Sequence, residues 1–134
     1  MTLRVELVVP DGEIWSGHAR MVIAKTLEGD VGILTSHPDV LGILAEGSVV
    51  RILDPEQGAA DAGEVRAAVS SGFLSVHDDR VSILARQAEL GTQVDQAAVR
   101  AELDASVSEV SAGEEETTEV KYSRARLRAA GDGS

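Results

Sequence analysis

The chain has 134 residues, with 12 lysines and arginines against 23 aspartates and glutamates, giving a formal net charge of −11. This acidity argues against a nucleic-acid-binding module, which needs a basic face to neutralise phosphates. The apolar content of 43% is too high for a disordered acidic tail, so the chain can bury a core of about one domain.

The first 91 residues have the pattern of short β-strands. Leu3, Val5 and Leu7 alternate with Arg4 and Glu6, as expected for a strand with one buried face. A Pro-Asp-Gly turn follows, and further apolar runs recur between turn residues, while residues 54–63 lack periodicity and read as an exposed hairpin loop. Such punctuated runs predict a β-sandwich or small barrel. The runs lie at residues 13–16, 20–26, 31–34, 40–45, 48–53, 64–70, 73–77 and 80–84.

Beyond Gly91 the apolar period becomes helical. A first helix is expected to begin after Asp95, a good N-cap, and to end near residues 111–113. Its apolar residues fall at helical spacing, on one face with a stripe of alanines beside them. These residues are Val99, Leu103, Val107 and Val110.

A second, weaker helix is predicted from about Glu114 to Ala130. Its acidic start and basic end both complement the helix dipole, but only Val120, Leu127 and Ala130 form an apolar stripe. So thin a stripe needs a partner surface. The predicted fold class is therefore β + α: an N-terminal antiparallel β-sandwich (residues 1–91) followed by an antiparallel two-helix hairpin (residues 92–134).

The sequence contains no convincing active site. The absence of cysteine excludes a disulfide framework and thiolate chemistry, and the three histidines have no metal-ligand spacing, so no catalytic or metal site is predicted. A small β-sandwich enzyme or ligand carrier could use His37, flanked by Ser36 and Asp39. A plain turn explains these residues better, because catalytic triads are assembled from distant segments. With no apolar run of 18 residues and no signal peptide, we expect a soluble intracellular protein.

Several ordered motifs resemble the epsilon subunits of bacterial F-type ATP synthases, and the resemblance covers the full chain. The match begins with Pro10-Asp11-Gly12 and Trp15-Ser16-Gly17 and continues through the block from Thr26 to His37. Each motif is short, but together the motifs keep the family's order and spacing over about 80 residues of alternating apolar sequence. The later motifs are Leu44-x-x-Gly47, Ser71-Gly72-Phe73-Leu74-Ser75-Val76, Val81-Ser82-Ile83-Leu84-Ala85 and Ala88-Glu89.

The resemblance implies a mechanical role. Members of this family are non-catalytic rotor subunits that link the gamma subunit to the c-ring beneath the alpha/beta catalytic head, coupling proton flow to ATP synthesis. They lie at the cytoplasmic face of the membrane and are held there only through the complex. The resemblance places Glu28, Asp30 and His37 at the c-ring contact. Alternatively, the glycines around them merely shape a turn.

The resemblance also implies a regulatory hairpin. Its extended form restrains ATP hydrolysis and brings basic residues towards the beta subunits, for which Arg124, Arg126 and Arg128 are the candidates. A dipole-matched helix end explains the same charges equally well. Some relatives bind ATP through an Ile/Leu-Asp-x-x-Arg-Ala motif, of which only Leu103-Asp104 is present here. Val107 stands where the arginine should be, so we expect no nucleotide site and no cofactor.

Overall fold

A computed structural model describes residues 2–54, 63–108 and 117–131. The described part contains ten strands in two five-stranded sheets, which confirms the predicted β-sandwich. Sheet 1 has the strand order β2-β1-β9-β8-β5, and sheet 2 has the order β10-β7-β6-β3-β4. The strands are β1 (Leu3–Val9), β2 (Gly12–Ala19), β3 (Met21–Thr26), β4 (Gly29–Ile33), β5 (Val40–Ile43), β6 (Ser48–Leu53), β7 (Glu64–Val69), β8 (Gly72–His77), β9 (Arg80–Ala85) and β10 (Ala88–Leu90).

One strand pair departs from the predicted antiparallel pattern. β1 pairs with β9 in parallel, with Val5 opposite Val81 and Leu7 opposite Ile83, whereas the other described pairs are antiparallel. Parallel neighbours need a long crossover between them. Here that crossover is most of the sandwich itself, so no hairpin signal in the sequence could announce the pairing.

The core between the sheets is aliphatic, as the composition requires. Alternate residues of β1, namely Leu3, Val5 and Leu7, are completely buried. Ile52 in β6 and Ile83 in β9 are equally buried from the two sheets. Each such side chain contributes about 1.5–3 kcal/mol when it leaves water. The period-two pattern therefore determines which face of each strand points into the core.

Two helices follow the sandwich, α1 (Gln96–Ser108) and α2 (Thr118–Ala129), joined to it through a 3₁₀ turn at Gly91–Gln93. Asp95 caps α1 as predicted, because its carboxylate accepts a hydrogen bond from the Ala98 amide at 3.1 Å. The predicted end of this helix at residues 111–113 and most of the predicted 54–63 loop lie outside the described residues.

The second helix begins at Thr118, later than the predicted start near Glu114. Thr117 has an extended backbone, and its hydroxyl accepts a hydrogen bond from the Val120 amide at 3.2 Å. This N-cap fixes the start of the helix. Residues 114–116, which suggested an acidic first turn, lie outside the described residues, and Glu119 supplies the acid in the observed first turn.

α2 packs on the outer face of β6 and β7, and α1 packs on α2. The buried residues of α2 include two of the predicted stripe, Val120 and Leu127, together with Ala125 and Ala129. Ala130, predicted to belong to the stripe, is only half-buried. Small side chains contact the sheet because the helix lies close to Ala68, which is completely buried beneath it. Within the described part of the chain, neither helix is long and apolar enough to span a bilayer.

Candidate interaction surfaces

The turn between β3 and β4 and the start of β4 carry two of the residues predicted to contact the c-ring. Glu28 and Asp30 are both exposed. The buried hydroxyl of Thr26 shapes the turn, since it donates to the Gly29 carbonyl at 2.9 Å and accepts from the Glu28 amide at 3.2 Å. Asp30 lies opposite Lys25 in the β3–β4 ladder. The turn therefore presents two carboxylates on a locally rigid frame.

The third predicted contact residue, His37, lies in the loop 34–39 beyond the other end of β4. Its Nδ1 is 2.7 Å from the Pro38 carbonyl oxygen, and the side chain is half-buried. Glu28 and Asp30 stand at the start of the strand, so the three residues do not share one contact point. Instead they follow one another along β4, an edge strand of sheet 2, and the loop after it.

A pair of contacts connects this loop to the β8–β9 hairpin. The Ser36 amide donates to a carboxylate oxygen of Asp79 at 2.6 Å, and His77 Nδ1 lies 2.9 Å from Asp39 Oδ2. The hydrogen bond and the negative charge of Asp39 raise the pKa of His77, with a smaller contribution from Asp78. The acid nearest to His37 in sequence is thus paired with a different histidine, which leaves the predicted Ser-His-Asp combination unassembled.

Sheet 1 exposes a row of apolar side chains on its outer face. Val8, Leu84, Phe73 and Ile43 are direct cross-strand neighbours over β1, β9, β8 and β5. The last three are about half exposed, and Leu27 and the neighbouring Leu41 are exposed to 67% and 79%. With Leu27, the row lines a groove of about 770 Å³. We call this row with Leu27 the apolar face.

The sequence analysis did not identify the apolar face, although a signal was present. Phe73-Leu74 and Ile83-Leu84 place apolar residues at successive positions, which point to opposite faces of a strand. Leu74 and Ile83 are completely buried inside the sandwich, so their neighbours must face outward. A contiguous exposed apolar patch of this kind indicates a surface that another protein covers.

The three candidate arginines of α2 have different environments. Arg126 Nε lies 2.6 Å from Glu89 Oε1, its Nη1 lies 3.4 Å from Glu102 Oε2, and only 20% of its side chain is exposed. Burial lowers the pKa of Arg126, but the hydrogen bond and charge of Glu89, together with the charges of Tyr122 and Glu102, outweigh it and leave that pKa raised. Arg128 donates to the Gly47 carbonyl at 3.0 Å, and Arg124 is exposed. They do not form one free basic patch.

Comparison with known proteins identifies the family. The family model for the ATP synthase Delta/Epsilon chain, beta-sandwich domain, matches residues 2–91. The ATP synthase epsilon chain of Thermobifida fusca is 51% identical over 129 residues, covering 96% of this chain and 91% of that one. The chain belongs to the ATP synthase epsilon family. The epsilon chain of Streptomyces coelicolor is 39% identical over 129 residues, covering 96% of this chain and 94% of that one.

Solved structures share the epsilon fold at low sequence identity. A chain of the Euglena gracilis mitochondrial ATP synthase, in an OSCP/F1/c-ring assembly, superposes with a TM-score of 0.66 at 19% identity, covering 94% of this chain and 75% of its own length. A chain from the Tetrahymena thermophila mitochondrial ATP synthase central stalk and c-ring superposes with a TM-score of 0.56 at 20% identity. The match covers 97% of this chain and 91% of that one. At these identities the likeness concerns the fold.

The nucleotide motif of some epsilon relatives is represented by Asp104, which is exposed on α1. Across residues 2–54, 63–108 and 117–131, no three His, Cys, Asp or Glu side chains are grouped to hold a metal ion. The described part of this epsilon family member offers three surfaces: the apolar face on sheet 1, an acidic edge at β4 and a helix pair on sheet 2.

Proposed function

We propose that the protein is the epsilon subunit of a bacterial F-type ATP synthase and acts as a non-catalytic rotor subunit of the central stalk. In this role it links the gamma subunit to the c-ring below the alpha/beta head and couples proton flow to ATP synthesis. It is peripheral, at the cytoplasmic face of the membrane, and held there only through the complex. Residues 1–91 form the rotor-binding part, and residues 92–134 form the regulatory part.

The observation that carries this proposal is the apolar face of sheet 1. A chain that works alone gains nothing from half-exposed Ile43, Phe73 and Leu84 in one row. A permanent subunit covers such a row against its partner, and the gamma subunit is the partner we assign to it. Desolvating these side chains supplies the association free energy, and a few central apolar residues carry most of it.

A matched pair of leucines tests the gamma contact. Leu84 and Leu34 are each 50% exposed, but only Leu84 belongs to the apolar face. Leu84→Ser should weaken capture of this chain by co-expressed gamma subunit about tenfold, whereas Leu34→Ser should not. Isolation of the wild type only as a free monomer beside gamma would refute the proposal, as would substrate turnover by the chain alone.

We also assign the c-ring contact to Glu28, Asp30 and His37, on the edge formed by β4 and the loop after it. Carboxylates on a rigid turn can meet polar or basic loops of the ring, an attraction that salt screens. Asp30→Asn should lower proton pumping per ATP hydrolysed in membrane vesicles, and its difference from the wild type should be larger at low salt than at high salt. Asp11→Asn, which removes an exposed charge elsewhere on the sandwich, serves as the control.

For the hairpin we propose contact of Arg124, Arg126 and Arg128 with the catalytic beta subunits, which restrains ATP hydrolysis. The support is the charge distribution: residues 120–134 carry four basic and one acidic side chain in an otherwise acidic protein. The contact must compete with the bonds that now hold Arg126 and Arg128. Neither a catalytic role nor a nucleotide site is assigned to this chain.

A further inference from the structure

The helix α2 is the middle layer between the sandwich and α1. It packs on β6, β7 and β10 on one side and on α1 on the other. In the described part of the chain, α1 has its principal contact with α2 rather than with the sheets. Whatever holds α2 on the sandwich therefore also holds α1.

The surface that receives α2 is a short row across three strands of sheet 2. Val49 lies opposite Ala68 in the β6–β7 ladder, and Ala68 lies opposite Glu89 in the β7–β10 ladder. Ala125 and Ala129 of α2 pack on Ala68. The buried apolar residues at this point are three alanines, which bury little area each, and Val49 and Tyr122 pack against them only partly buried. The row ends in the carboxylate of Glu89, the one charged side chain of the three.

Arg126 meets that carboxylate and reaches the third layer as well. Its Nε is 2.6 Å from Glu89 of the sandwich, and its Nη1 is 3.4 Å from Glu102 of α1. The guanidinium carbon lies 5.6 Å from the centre of the Tyr122 ring, one helical turn earlier. Arg126 and Glu89 are only 20% and 27% exposed, so removing one leaves the other charge partly desolvated and unpaired. Two nitrogens of one guanidinium, Nε and Nη1, thus contact two carboxylates, a geometry that the single ammonium of lysine cannot reproduce.

We infer that Arg126 is a latch: its bond to Glu89 holds α2, and with it α1, on the sandwich. The same guanidinium is one of the groups assigned above to the beta subunits, and it cannot serve both partners. Breaking the Glu89 bond thus loosens the helix pair, which Arg128 still joins to Gly47 and Lys121 to Glu46, and makes the arginine available in the same event. This last step rests on the proposed function, whereas the latch itself does not.

Amide hydrogen exchange in the full chain tests the latch. An isolated helix of 12 residues is marginal in water, so α2 is protected only while docked. Arg126→Gln should reduce protection of residues 117–131 at least tenfold and leave residues 2–9 of β1 unaffected. Arg80→Gln removes the same charge from an exposed position at the start of β9 and should change neither. Retained protection in Arg126→Gln would overturn the latch.

A charge exchange guards against simple misfolding of the variant. Arg126→Glu alone should undock α2, and Glu89→Arg together with Arg126→Glu should restore at least half of the lost protection. The latch is wrong if the double variant is no better protected than the single one. Protection of β1 in every variant shows that the sandwich is folded.

Hydrolysis by the assembled complex separates the latch from the proposed function. Glu89→Gln undocks α2 but keeps the arginine, so ATP hydrolysis should fall severalfold below that of the complex carrying Arg126→Gln. If both variants undock α2 and hydrolyse ATP equally, the latch stands and the beta-subunit contact of Arg126 fails. If neither variant undocks α2, the latch fails, whatever the activity.

Discussion

Gly91 lies against the last turn of α2, where a Cβ at residue 91 would overlap the carbonyl oxygen of Ala129. The glycine stands directly after β10, at the start of the 3₁₀ turn that leads to the helices. The backbones of the sandwich and of α2 therefore approach each other without an intervening side chain. The position requires glycine for space, since its φ lies outside the left-handed region.

Replacing Gly91 with alanine should displace α2. Overpacking of this kind costs about 1–3 kcal/mol, so the free energy of unfolding should fall by that amount and residues 117–131 should lose exchange protection. Urea denaturation and amide exchange measure the two effects. Gly42→Ala is the matched control, because its nearest neighbour, Thr26 Cγ2, would lie at an ordinary 3.5 Å. Equal effects of the two substitutions would contradict the close approach.

Glu64 should make stability depend on pH in the acid range. Arg51, bonded to it at 2.8 Å and 3.3 Å, holds the pKa of Glu64 below its usual value, with help from Arg66. A depressed pKa in the folded state stabilises the protein above the unfolded pKa of about 4.3 and ceases to do so as pH falls through the folded value. Glu64→Gln should therefore cost about 1 kcal/mol at pH 7.

The cost of Glu64→Gln should shrink on acidification, because the wild-type carboxylate becomes protonated as well. Urea denaturation at neutral pH and near pH 3 measures the difference between the two proteins. Glu28→Gln, at an exposed turn position, should show little difference at either pH. A cost that stays constant with pH would show that packing, rather than the Arg51 pair, accounts for it.

The pKa of His77 should lie above that of an ordinary histidine. Its hydrogen bond to Asp39, at 2.9 Å, and the charge of that residue raise its pKa above the unperturbed value of about 6.5. The linked stabilisation is present below the unfolded pKa and is lost as pH rises through the folded one. NMR titration of the imidazole protons measures the midpoint, which Asp39→Asn should lower. A midpoint that does not respond to Asp39→Asn, or responds equally to Asp11→Asn, would rule out the pair in solution.

The chain should not bind ATP at micromolar concentration. Asp104 is present, but Val107 replaces the arginine of the nucleotide motif found in some relatives, which removes a bidentate phosphate donor. Calorimetric titration of the full chain with ATP should show no heat of binding above dilution. Clear binding at micromolar ATP would refute the expectation and indicate that another cationic side chain binds the phosphates.

Local patterns predicted the elements of this protein. The alternation of Leu3, Val5 and Leu7 sufficed for β1, and the carboxylate of Asp95 sufficed for the start of α1, because both effects act within a few residues. Dependence on local signals also explains why the predicted start of α2, near Glu114, is wrong. The run at residues 114–116 gives a strong local dipole signal, and it concealed the capping hydroxyl of Thr117.

Contacts between distant segments decided the rest. The sequence by itself determined an aliphatic sandwich, two helices and membership of a family whose motifs are local. Only the tertiary structure aligned Val8, Leu84, Phe73 and Ile43 into one face, through ladders between strands far apart in the chain. It alone paired Arg126 with Glu89, 37 residues earlier. A sequence shows which charged side chains a helix carries, but the partner of each one depends on which surfaces the folded chain brings into contact.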